Sequence, residues 1–120
     1  MWNVDPSLAR ELVAPRFALH LTLPTIADPT TITDPVAVER WVAAHRARFG
    51  KLVFSMRVGP FVDVRAGVVA GPWIADTIVD GVAQPVCGMD TIAFRGGKIT
   101  EYWTISKPGY DYGEWDRAQL

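Results

Sequence analysis

One cysteine, Cys87, is all that this chain of 120 residues contains, so no disulfide can close within it and no thiolate set can hold a metal. The predicted role of Cys87 is a small apolar filler of the core. Charge of one sign is lacking too: 12 basic residues face 13 acidic ones, dispersed and without a run of Lys or Arg. The long-range field that draws a protein to DNA, RNA or an anionic membrane is therefore missing. No stretch nears the ~20 consecutive apolar residues of a membrane span. The opening "MWNVDPSLAR" has neither the basic start nor the apolar run of a secretion signal. The expectation is a cytoplasmic protein without nucleic-acid or membrane partners. Low-complexity tracts and repeats of solenoid length are absent as well.

What is present is enough apolar material for one core, 49% of the chain, and the reading is a single domain over residues 1–120. Asp5-Pro6 predicts a capped short helix that stops at Pro15. "RFALHLTLP" alternates as a strand, with Phe17, Leu19, Leu21 and Leu23 on one face and Ala18, His20 and Thr22 on the other. Asp34-Pro35 repeats the capping signal. Val38, Trp41, Val42, His45 and Phe49 then follow helical spacing up to Gly50, with Glu39, Arg40, Arg46 and Arg48 mostly on the opposite side.

From Lys51 the period becomes two: "KLVFSMRVGPFV", "VVAGPWIADTIV", "VAQPVCGMDTIAF" and "KITEYWTIS" read as strands of an antiparallel meander, separated by the turns "DVRAG", "DG" and "RGG". Helices followed by hairpins predict an α+β fold, a bent sheet wrapped around helices as a cone. Pro60, Pro72 and Pro85 mark edges, bulges or bends in that sheet.

In "GMDTIAF" the strand carries Asp90, a poor strand former and a costly group to bury, on the same face as Val86, Gly88, Ile92 and Phe94. An apolar row of this kind raises a carboxyl pKa. By the two-residue period, Glu101 and Trp103 share a face with Ile99 on the next strand. His20 is the one strand histidine and suits proton transfer near neutrality. An outward Glu101 paired with Arg95 or Lys98, or a His20 bonded to a backbone carbonyl, would look the same in sequence. His45 reads as a packed or interface residue.

The phrases "NVDPSLARELVAPRFALHLTLP", "VERWVAAHRARF", "VGPFVD" and "GMDTIAFRGGKITEYWTIS", spread over residues 3 to 106, resemble the SnoaL-like polyketide cyclase family of the NTF2-like superfamily, which also holds ketosteroid isomerase and limonene epoxide hydrolase. The resemblance implies the cone fold with its first helix shortened. It implies that Asp90 stands where SnoaL-like cyclases keep their acid/base and where ketosteroid isomerase keeps the aspartic acid of its oxyanion hole. It sets Glu101 on the strand that carries a catalytic carboxylate in limonene epoxide hydrolase, and Trp103 at a pocket tryptophan of ketosteroid isomerase. Two departures stand beside it. "HLTLP" offers His20 and Thr22 in place of a carboxylate base, and "AGPWIAD" has no arginine for an Arg-x-Asp motif.

The expected activity is acid/base cyclisation or isomerisation of a hydrophobic, polyketide-like small molecule. Asp90 is the main group, Glu101 or His20 its partner, and Trp41, Trp73, Trp103, Phe94 and Arg57 bind the substrate. No metal, nucleotide or flavin motif is present, proton transfer needs no cofactor, and no basic cluster is expected on the concave side. Epoxide opening to a cyclic ether or diol, and a non-catalytic binding or assembly module, are the alternatives. The exposed outer face of the meander and the aromatic tail "PGYDYGEWDRAQL" predict a homodimer packed through the sheet.

Overall fold

The computed structural model describes residues 1–3, 5–21, 28–56 and 58–108. Arg57, Thr22, Leu23 and the aromatic tail from residue 109 lie outside the described residues, and so do the expectations placed on them. Asp5 accepts a hydrogen bond from the Ser7 amide and opens a single 3₁₀ turn, Pro6–Leu8, which runs into the four-residue helix α1, Ala9–Leu12. The first helix is thus as short as expected. It ends before Pro15, because the chain enters strand β1, Val13–Leu21, at once. Pro15 is tolerated inside β1 because β1 is an edge strand whose pairing is irregular between Val13 and Ala18.

After a 3₁₀ turn at Pro29–Thr31 comes α2, Pro35–Ala47, capped by the Asp34 carboxylate on the Ala37 amide at 2.8 Å. Six more strands follow: β2 (Lys51–Met56), β3 (Phe61–Asp63), β4 (Val68–Val79), β5 (Val82–Ala83), β6 (Val86–Arg95) and β7 (Lys98–Pro108). They form one sheet in the order β1-β7-β6-β4-β2, with β3 and β5 also paired to β4. Every pairing within β2 to β7 is antiparallel, whereas β1 lies parallel to β7. The sheet is therefore mixed rather than wholly antiparallel.

The prolines sit where the ladder can spare a donor. Pro72 lies in a central strand, yet the strand beside it is broken there: β2 ends at the Met56–Trp73 pair and β3 begins at the Phe61–Ala70 pair. That break divides the single strand expected over "KLVFSMRVGPFV", and Pro85 divides β5 from β6 in the same way. At the β4–β5 turn Asp80 and Gly81 both take positive φ, 51° and 77°, as a two-residue hairpin turn of the matching twist demands.

The core is one cluster of Ala9, Val13, Phe17, Leu19, Ile32, Val38, Val42, Ile99 and Tyr102, where α2 lies on the concave face of the sheet. Cys87 is free and fully buried, in keeping with a filler role. Trp2, Trp41, Ile92 and Phe94 border the core cluster. Beyond them the space between helix and sheet is left open.

Candidate active site

That opening is a cavity of about 890 Å³, a size suited to a small organic ligand. Its walls are largely apolar: Trp2, Trp41, Phe54, Trp73, Val69 and Ile92 line it, and Asp90 is the one carboxyl among the described residues that do. Trp41 and Trp73 stand where the sequence places them. Arg57 cannot be placed, and Phe94 packs toward the core instead of the cavity lining.

Asp90 is held by three neighbours. The Trp73 indole Nε1–H donates to Oδ1 at 2.7 Å, the Tyr102 hydroxyl donates to Oδ2, and the Thr104 side chain bonds the same carboxyl. Register explains the trio: Asp90 pairs with Thr104 on β7, its neighbour Ile92 pairs with Tyr102, and Trp73 of β4 pairs with Gly88. Gly88 is required for the third contact, since a methyl group there would overlap the Trp73 ring and the Ile105 carbonyl oxygen.

Burial is the largest influence on Asp90 and raises its pKa, while the bonds from Thr104, Tyr102 and Trp73 favour the ionised form and pull the other way. The net direction is upward. Tyr102 is held well above its ordinary pKa, first by burial and then by the Asp90 charge, so it remains a hydroxyl donor. Trp2 bonds the Tyr102 oxygen in turn. As an indole N–H only donates, the chain of donors runs from Trp2 to Tyr102 to Asp90.

Trp2 is fixed from outside. Asn3 pairs twice with Phe54 on edge strand β2, accepting from its amide and donating to its carbonyl, each at 2.8 Å. The indole beside it then meets Trp41, Phe54 and His45 with ring centroids 5.1 to 5.5 Å apart. His45 lines the cavity from α2, and burial, assisted by the Arg48 charge, lowers its pKa and keeps the imidazole neutral near pH 7.

Three residues expected beside Asp90 are elsewhere. His20, Glu101 and Trp103 form a group on the convex face: His20 Nε2 meets Glu101 Oε2 at 3.0 Å, and its ring stacks on Trp103 at 5.0 Å. None of them lines the cavity. The physical reason is one extra residue in β7. Phe94 pairs with Ile99 but Ala93 pairs with Glu101, so Thr100 bulges and the alternation changes sign. Ile99 and Tyr102 therefore share the concave face, while Glu101 and Trp103 turn outward.

The expectation of no basic cluster on the concave side also needs correcting, because Arg40 and Arg48 both line the cavity, exposed at its mouth with Ala44 between them. Sequence reasoning passed over Tyr102, Thr104, Trp2 and this arginine pair. The signal for the first two lay in strand register, which a bulge conceals. Among the described residues no helix is long and apolar enough to cross a membrane, and no three metal-ligating side chains gather.

Comparison with known proteins places the fold. No family model and no curated protein matches the chain. Solved structures do match, at low identity. IdmH, a candidate polyketide cyclase from Streptomyces antibioticus, is 22% identical with a TM-score of 0.67 over 86% of this chain and 81% of its own. A candidate polyketide cyclase from Acidithiobacillus ferrooxidans is 18% identical, TM-score 0.70, over 85% and 75%. A protein of ketosteroid isomerase-like fold from Catenulispora acidiphila, solved with trimethylamine, is 14% identical, TM-score 0.71, over 87% and 76%. The chain has the α+β cone of SnoaL-like and ketosteroid isomerase-like proteins.

Proposed function

We propose that this chain binds an apolar, oxygen-bearing small molecule of polyketide type in its cone and moves a proton on it, as a cyclase or isomerase that needs no cofactor. The observation that carries the reading is Asp90, one carboxyl in an apolar cavity, its pKa raised by burial and its oxygens oriented by Trp73, Tyr102 and Thr104. Ionised, Asp90 takes a proton from carbon beside a ketone. The enol carbon then bonds to a second carbonyl carbon, and the proton returns to the oxygen formed there. Ring closure so written conserves every atom. Tyr102, kept protonated, donates to Asp90 Oδ2 and steadies the carboxylate when it is ionised, and cavity walls that exclude water strengthen that bond.

Epoxide opening would draw on the same carboxyl, in its protonated form, as the acid that protonates the epoxide oxygen, without the Glu101 pairing first expected. A non-catalytic binding module is favoured by one observation: three hydrogen bonds also suffice for an Asp90 whose task is to fix Trp73 and Tyr102 as cavity walls. We further read the convex face, where Met89, Trp103 and Ile105 are 51%, 39% and 58% exposed, as the surface through which two copies pair.

Thermal shift against a ligand panel tests the pocket. Polyketide-like lactones, aromatic ketones and epoxides should raise the melting temperature, since a ligand that binds only the native state stabilises it. Nucleotides, sugar phosphates and divalent metals should not. Stabilisation by that second group alone would end the reading.

A further inference from the structure

The cavity floor has a use in the reading above, but its mouth does not. Arg40 and Ala44 of α2 and Arg48, its C-cap in the same helical conformation, follow one another at four-residue intervals along one flank, and all three line the cavity while exposed to solvent. Eight residues of helix separate the two arginines by about 12 Å, a gap that two extended guanidinium side chains can span between them over the small Ala44.

The charges around them are uncompensated among the described residues. Glu39 is the one carboxylate within α2, and it is bound to Arg10 at 2.5 Å. Asp34 is engaged at the helix start by the Ala37 amide. Arg46, the helix's other arginine, acts on Asp5. No carboxylate lies within ion-pair distance of Arg40 or Arg48 among the described residues. His45, on the same wall, has its pKa lowered by burial and by the Arg48 charge, and in neither form does it bring a negative charge. Among the described residues Asp90 is the one acid that lines the cavity; it belongs to the sheet on the opposite wall and is occupied by its three donors.

We propose that the mouth of the cone is an oxyanion site: the ligand is an apolar, carbonyl-bearing body with a carboxylate or phosphate at one end, held between Arg40 and Arg48 while its ketone reaches the Asp90 floor. This rests on the cavity being the ligand site, as argued above. A guanidinium suits both oxyanions because its fork of N–H donors matches two oxygens at once. Anchoring one end of an elongated molecule also decides which carbonyl meets Asp90, so the arginines set the orientation in which a ring could close. An anion without an apolar body would leave the aromatic walls unfilled, so sugar phosphates remain poor ligands.

Three probes with one aromatic ketone in common test the site by calorimetric titration of the full chain: 2-acetylnaphthalene, 6-acetyl-2-naphthoic acid and 6-acetyl-2-naphthyl phosphate. At least one anionic probe should bind about tenfold or more tighter than the neutral ketone, as expected for charge-assisted hydrogen bonds. Whichever of the two gains more identifies the source of the oxyanion. The gain should vanish in the double variant Arg40→Gln/Arg48→Gln and shrink in the unmutated protein as salt is added; the salt titration needs no variant to fold. Equal binding of all three probes, or a gain that survives in the double variant, overturns the oxyanion site and leaves the cavity reading intact. Failure of all three to bind removes both.

Discussion

Trp73 and Asp90 lie diagonally across adjacent strands, and the indole N–H of the first donates to Oδ1 of the second at 2.7 Å. The contact passes over Gly88, the residue opposite Trp73, whose missing side chain leaves room for the ring. Gly88→Ala should therefore cost about 1–3 kcal/mol, the usual range for overpacking, and should move the indole away from Asp90. Urea unfolding measures the cost, and tryptophan fluorescence, compared with that of Trp73→Phe, measures the displacement. A variant as stable as the parent, with the same emission, would mean that the ring does not lie there.

Asp90 also fixes a pH dependence. Its folded pKa is raised above the ordinary 3.8, chiefly by burial, so the native state holds this proton to higher pH than the unfolded chain does. Stability from this group is full below the unfolded value and is lost as pH rises through the folded one. The melting temperature of the parent minus that of Asp90→Asn should thus fall as pH climbs from about 4 through the raised value. His45, whose pKa is lowered, works in the opposite direction, but it is common to both proteins and cancels in the difference. A difference that grows over this range would show that the three hydrogen bonds outweigh burial.

The sequence carries most of the fold and about half of this site, for identifiable reasons. β4 ran from Val68 to Val79 as its alternation and bounding turns implied, and the Asp34-Pro35 signal started α2 where a cap must. Asp90 and Trp41 were legible because apolar periodicity set their faces, and Trp73 because a large aromatic ring suits a pocket wall. Tyr102 was not, because the bulge at Thr100 inserts one residue and exchanges the two faces of β7. Nor was Trp2, which reaches the cavity only through the pairing of Asn3 with Phe54, 51 residues along the chain. Arg40 and Arg48 were assigned to the solvent side by helical phase alone, which takes no account of how far an arginine reaches.

The convex group gives a contrasting expectation. His20 and Glu101 are 45% and 43% exposed, and an exposed pair contributes about 0.2–1 kcal/mol. His20→Gln with Glu101→Gln should change stability by no more than that and leave ketone binding in the cavity unaltered. Calorimetry with 2-acetylnaphthalene decides: binding lost in this double variant would move the site to the convex face.

Pairing of two copies through the same face predicts a dimer mass by light scattering at micromolar concentration, and a monomer mass once Met89→Lys puts a charge on that face. Such a face, once covered, does not accept buried unpaired charge. A monomer mass for the unmutated protein would refute the pairing.

The most direct measurement of proton transfer needs no knowledge of the natural substrate. An apolar enolisable ketone, 2-tetralone, exchanges the hydrogens beside its carbonyl for deuterium in D₂O, and proton NMR follows the loss. With Asp90 as the acid/base of the cavity, the protein accelerates this exchange, and Asp90→Asn, folded and still binding the ketone, slows it by about a hundredfold or more. Equal exchange rates with the parent and with Asp90→Asn would contradict the assignment.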